Sequence, residues 1–368
     1  MTKKIGILNF QYSNHNYGAV LQASALQRKI SELGYTCEHI DLRPAVKKRT
    51  IKVKLRNFIG DILRVLKLKK TAPLPEIQET GIFEIFRKNW IKRTDYVFTE
   101  AGELNLLADE YYAVVVGSDQ VWRPGYTLEF CKAYFLSFCG NKTKRISYAA
   151  SFGVDSWEPS IIDTEIENEL KQFHSISVRE DSGVTICKNI FSLDAVHVLD
   201  PTLLVGVDYF NEIIASEETN IDNCKYSEVV YYKLGIDYDF LNKVDSISKE
   251  NENIYYFDNG KGYEYNSVSK WLNKIKNSKL VITDSFHCIC FSILFEKDFI
   301  YFANFNKGLT RLESLLGSLG LEDRICRTSE EMLKDYAAID YKVVNDKLEK
   351  LRRESNNFIR EALMSNEK

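Results

Sequence analysis

The residues best placed to do chemistry are a histidine and an arginine, each just beyond a short apolar run. His287 follows Leu280-Val-Ile-Thr-Asp-Ser-Phe286, in which Leu280 to Ile282 read as a buried strand and Thr283, Asp284 and Ser285 suit a helix N-cap. Phe286, Cys290, Ile293 and Leu294 then recur at helical spacing before Phe299 to Phe302 turns extended again. A histidine in a helix's first turn is held neutral by the positive helix end, which also welcomes anions. In open α/β sheets the crevice at the carboxyl ends of the strands is where ligands bind. An imidazole there can give and take a proton near neutral pH. The competing reading is a capping or packing histidine satisfied by Asp284 or by backbone.

Arg179 ends the run Ser175-Ile-Ser-Val-Arg179 and would face the same crevice. Its guanidinium suits bidentate contact with phosphate or carboxylate, and an ion pair with Glu180 or Asp181 is the ordinary alternative. Two polar loops have the same placement. In Tyr12-Ser-Asn-His-Asn-Tyr-Gly-Ala19 the side chains of Asn14, Asn16 and Tyr17 can hydrogen-bond sugar hydroxyls, and Gly18 lets a ligand approach the backbone. The G-x-G-x-x-G glycines are absent, so a dinucleotide site is not indicated. In Val114-Val-Val-Gly-Ser-Asp-Gln-Val-Trp122, Asp119 could accept a hydroxyl proton, Gln120 orient it and Trp122 stack on a sugar ring. The alternative there is a turn whose Ser118 and Asp119 cap the next helix.

The elements that must position these residues alternate. Lys4 to Phe10, Tyr35 to Leu42, Tyr112 to Val116, Arg145 to Ala150, Ser175 to Val178 and Ala195 to Leu199 read as strands, with helices such as Ala19 to Leu33 between them. After Asp200-Pro201 a second series has strands near Glu228 to Lys233, Asn253 to Phe257, Lys279 to Thr283 and Phe299 to Phe302. The fold class is therefore α/β, with two Rossmann-like parallel-sheet domains facing each other across a cleft. The divisions are 1–199, 200–340, and a C-terminal helix in 341–368 that packs across the junction. At 368 residues two domains are also the default.

Composition excludes several classes. With 45% apolar and 27% charged residues and a net charge of -3, nothing points to nucleic-acid binding. The eight cysteines include no C-x-x-C pair, and no metal set is indicated, so reduced thiols in a cytoplasm are expected. Met1 to Phe10 is too brief for a signal peptide's apolar region, and no run is long enough to span a membrane. One stretch stands apart: residues 47–70 hold ten Lys or Arg against the single acid Asp61. As an amphipathic helix it would either lie on the inner face of an anionic membrane or cover the domain with snorkelling side chains.

Together, Asn16-Tyr-Gly-Ala-Val-Leu-Gln22, Val116-Gly-Ser-Asp-Gln-Val-Trp122, Ser177-Val-Arg-Glu180, Asp200-Pro201 and Thr283-Asp-Ser-Phe-His287 resemble, in order, the polysaccharide pyruvyl transferase family. The resemblance implies a fold like the two-domain GT-B glycosyltransferases. It implies transfer of pyruvate from phosphoenolpyruvate to a saccharide or lipid-linked saccharide, with no cofactor. His287 and Arg179 would be catalytic. Arg179, Ser285 and His287 would hold the donor, and Asn14, Asn16, Tyr17, Gly18, Asp119, Gln120 and Trp122 the acceptor. Where the family pattern has arginine two positions before the histidine, this chain has Ser285, and Lys307 or Arg311 would restore the donor-side charge. Two other readings are a GT-B glycosyltransferase using a nucleotide sugar, for which Glu322 and Glu330 have a suitable spacing, and an inactive saccharide-binding relative.

Overall fold

Two all-parallel sheets organise the chain. They are seen in a computed structural model that describes residues 3–43, 75–158, 162–217, 226–233, 236–303, 310–328 and 330–364. The basic stretch 47–70 and Lys307 lie outside the described residues. In the first sheet, β1 (Lys4–Leu8), β2 (Thr36–His39), β3 (Ala113–Val116) and β4 (Lys144–Ser147) lie in the order β2-β1-β3-β4. Every residue of β3 and β4 is buried, as strands covered on both faces require. The two-residue strands β5 (Ser177–Val178) and β6 (Val196–His197) pair with each other, and bridges from Ile146 to Ser175 and from Ala150 to Val178 attach them to the sheet.

The second sheet contains β7 (Ser227–Tyr232), β8 (Asn251–Asn253), β9 (Ser278–Thr283), β10 (Asp298–Phe302) and β11 (Ile325–Cys326), in the order β11-β10-β9-β7-β8. The parallel α/β architecture expected from the strand and helix alternation is thus present. One expected strand, Asn253 to Phe257, is instead split. The Asn253 side chain accepts the Tyr255 N–H at 2.9 Å and turns the chain. Tyr256–Asp258 then leaves for a small sheet with Tyr263–Tyr265 and Ile77–Gln78.

Two helices bring the sheets together. α1 (Tyr17–Glu32) is capped by Asn16, whose side chain accepts the Ala19 N–H, and every residue from Tyr17 to Leu26 is buried. The helix after β9, here αH (Phe286–Leu294), is capped by Ser285 and buried along its whole length. Helices buried all round lie between layers rather than on a surface. Tyr17 crosses the junction, stacking on Trp271 at 4.8 Å between ring centroids and joining one core cluster with Trp271, Phe291 and Ile289. The terminal helix Tyr341–Met364 crosses as well. Near its start the Tyr341 hydroxyl donates to Lys297 O at 2.5 Å, and further on the Ser355 hydroxyl accepts the Leu199 N–H at 2.9 Å.

Candidate functional site

Four strand ends converge between the sheets. Asp119 follows β3, Arg179 follows β5, Asp200 follows β6, and His287 follows β9 in the first turn of αH. All four are buried. Local sequence explains much of the placement: β3 and the middle of β9 are apolar, and the polar residues after all four strands begin turns or helices. Asp200 caps the helix Pro201–Val205, with proline at the first helical position, and its side chain accepts the Thr202 N–H.

Asp200 is the hub. Its Oδ1 accepts the Thr202 N–H at 3.0 Å and the Thr202 hydroxyl at 2.7 Å. Its Oδ2 accepts the Ser118 hydroxyl at 2.8 Å and Arg179 Nη1 at 2.9 Å. His287 Nε2 lies 3.6 Å from the same Oδ2, beyond hydrogen-bond length, and is buried with no hydrogen-bond partner. Burial would raise the Asp200 pKa, but the neighbouring His287 and Arg179 and the Thr202 N–H outweigh it and hold the carboxyl far below its usual range.

Arg179 is 3% exposed and spans both acids, with Nη1 on Asp200 and Nη2 3.4 Å from Asp119 Oδ1. Its guanidinium carbon sits 4.5 Å from the centre of the Phe286 ring. Burial disfavours its charge, yet Asp200, Asp119 and Glu180 raise its pKa. Asp119 has the left-handed φ of 73°. Burial works against its ionisation too, and Arg179, His287 and Arg311 reverse that and depress its pKa.

Arg311 reaches this cluster from the second domain. It is the second residue of the helix Thr310–Leu319, which docks on the first domain where Thr310 donates to Asp155 and the Ser314 hydroxyl donates to Asp181 at 2.7 Å. Burial and repulsion from Arg179 lower its pKa, against attraction from Asp119 and Glu180. Gly18 closes the other side: a Cβ there would meet His287 Nδ1 at 2.0 Å. A small pocket of ≈ 20 Å³, partly open to solvent, is lined by Arg179, Asp200, Phe286, Leu315 and Glu354.

The structure therefore brings together Gly18, Asp119, Arg179, Ser285, His287 and Arg311. Two residues assigned to a sugar have no face left for one. Tyr17 is fully buried, and its hydroxyl donates to Asn266 O at 2.6 Å. Trp122 is fully buried, with its indole N–H on Tyr134 O at 3.0 Å and its ring stacked on Phe135. Their place in polar segments suggests ligand-facing side chains, but the chain folds them inward, where their large apolar area is removed from water. Asn14 is exposed and accepts from Arg87 at 2.6 Å, while Gln120 accepts from Arg123 at 3.3 Å and packs against Gly153. Sequence reasoning used Asp200 only as part of a motif. An acid before proline reads as a cap, and that signal gives no sign of its second oxygen's partners. Among the described residues, no group of three or more His, Cys, Asp or Glu side chains could hold a metal ion.

The family model for polysaccharide pyruvyl transferase matches residues 16–306, a span that contains Gly18, Asp119, Arg179, Asp200 and His287. The chain belongs to the polysaccharide pyruvyl transferase family. It is accordingly a transferase by family. No curated protein matches the sequence. Solved structures resemble it in fold. The S. aureus MnaA–UDP co-structure is 10% identical, with a TM-score of 0.52 over 97% of this chain and 91% of that one. A UDP-GlcNAc 2-epimerase from Neisseria meningitidis bound to UDP-GlcNAc is 9% identical, with a TM-score of 0.49 over 98% and 97% of the two chains. The architecture is GT-B-like, as the strand pattern and the resemblance implied.

Proposed function

We propose that this transferase moves a pyruvyl group from phosphoenolpyruvate to two hydroxyls of a saccharide, forming a cyclic ketal on a cell-surface or capsular polysaccharide precursor. The observation that carries this reading is the meeting of His287 with Arg179 and Arg311 at the strand ends of a pyruvyl transferase fold. His287 protonates the donor's methylene carbon, which makes the adjacent carbon electrophilic. One sugar hydroxyl bonds to that carbon and gives its proton to the imidazole, the carbon's bond to the phosphate oxygen breaks, and phosphate leaves. A second hydroxyl then bonds to the same carbon and loses its proton, closing the ketal.

The two arginines divide the electrostatic work. Arg179 is committed to Asp119 and Asp200 and forms the positive wall of the site. Arg311, half-buried at the start of its helix, is the cation that meets the donor's phosphate or carboxylate. It supplies the charge for which Ser285 offers only a capping hydroxyl. The acceptor approaches past Asn16, Gly18 and Gln120, and no cofactor takes part.

Among the described residues no helix is long and apolar enough to cross a membrane. We place the protein in the cytoplasm, with residues 47–70 touching an anionic membrane that carries a lipid-linked acceptor. Co-sedimentation with anionic vesicles at low salt tests that part, and absence of binding removes it. Thermal shift tests the donor. Phosphoenolpyruvate should raise the melting temperature and a panel of nucleotide sugars should not, since a ligand stabilises only the protein that binds it. The opposite pattern would replace this reading with a nucleotide-sugar glycosyltransferase.

A further inference from the structure

The two ring nitrogens of His287 have different surroundings. Nε2 is buried without a hydrogen-bond partner, and Asp200 Oδ2 stands 3.6 Å from it. The Nδ1 edge of the ring packs against the start of α1, where only the missing side chain of Gly18 makes room for the imidazole. Asp200 cannot turn away, because its two oxygens are held by Thr202, Ser118 and Arg179. A carboxylate fixed opposite one imidazole nitrogen selects the tautomer that carries its proton there.

We propose that Asp200 is a positioning residue that keeps the proton of neutral His287 on Nε2, so that Nδ1, on the Gly18 side, is the atom that gives and takes the reacting proton. Nε2 is unsuited to that task, since Asp200 fills the space in front of it. Nδ1 first takes a proton from water and passes it to the methylene carbon while Nε2 keeps its own, and the bare Nδ1 then accepts the proton of the attacking hydroxyl. The charged and titratable groups around the ring are Asp200, Asp119 and Arg179 from the first domain, Arg311 from the docking helix, and Asp284 and Cys288 beside it in sequence.

The atom assignment rests on His287 being the proton carrier, whereas the tautomer can be read without any substrate. Imidazole nitrogen spectra of the ¹⁵N-labelled full-length protein, with His287 assigned by its disappearance in His287→Gln, should show neutral His287 protonated on Nε2. In Asp200→Asn the two tautomers should mix, and kcat with phosphoenolpyruvate should fall about 100-fold or more while KM changes little. An Nδ1–H tautomer in the wild type overturns the proposal even if Asp200→Asn fails to fold. A tautomer unchanged by Asp200→Asn overturns it too. If the Nε2–H form is found but phosphoenolpyruvate is not turned over, the positioning role stands and the donor assignment fails.

Discussion

Gly18 at the start of the first helix and His287 at the start of the helix after β9 pack so closely that a Cβ on residue 18 would stand 2.0 Å from Nδ1 of His287. The contact joins the two domains beside the His287 imidazole. Gly18→Ala must therefore move the imidazole or separate the helices. We expect a loss of about 1–3 kcal/mol in stability, as for other overpacked sites, and a larger proportional loss in kcat. Parallel denaturation and turnover measurements check this. Wild-type values for both would show that the contact is not tight.

Arg179 shields two buried carboxylates from each other. Arg179→Met would leave Asp119 and Asp200 without their shared cation, and breaking a buried pair in this way costs about 3–5 kcal/mol. Arg179→Lys keeps the charge but loses the fork that reaches both acids, so it should fall between. Urea denaturation gives the order wild type, Lys, Met. A Met variant as stable as the wild type would remove Arg179 from the framework of the site.

In the proposed reaction Arg311 meets the donor. Its helix is held on the first domain through Thr310 and Ser314, so Arg311→Ala should leave the fold intact. A charge-assisted hydrogen bond contributes about 1.5–3 kcal/mol, so its loss should raise KM for the anionic donor by roughly ten- to a hundredfold. Steady-state kinetics at varied phosphoenolpyruvate reads this directly. An unchanged KM would mean that another cation receives the donor.

How far these features could be read from sequence depended on whether they were local. The strand near Lys279 to Thr283 and the helix after it are observed as Ser278–Thr283 and Phe286–Leu294, because apolar period and capping residues are local signals. The turn at Asn253 to Tyr255 was missed, since Asn253 sits inside a run that otherwise reads as a strand. Tyr17 and Trp122 show a second limit. Polar neighbours mark a strand end, but whether an aromatic there faces a cleft or a core depends on Trp271 and Phe135, which are far away or hidden by the fold. Asp200 shows a third, because its bonds to Ser118 and Arg179 join segments 82 and 21 residues apart.

Acid should weaken the protein in two stages. His39 is fully buried, and burial pushes its pKa down from 6.5 to about 3. Between those values the unfolded chain holds a proton on His39 that the folded chain does not. Its stability contribution is therefore complete above about pH 6.5 and falls by roughly 1.4 kcal/mol per pH unit below it. Asp119 and Asp200, both depressed when folded, contribute above the usual carboxylate range and lose that contribution at lower pH. Denaturation from pH 8 to 4 checks the first stage. His39→Gln should flatten the slope below pH 6.5, and an unaltered slope would assign the proton uptake elsewhere.

The most direct measurement is mass spectrometry of the surface glycan from a strain lacking this protein, complemented with either the wild type or His287→Gln. The pyruvyl transferase account predicts loss of a mass corresponding to one pyruvyl ketal in the deletion strain. The wild type should restore it, and a folded His287→Gln protein should not. A glycan unchanged by the deletion, or restored by the variant as fully as by the wild type, would contradict it.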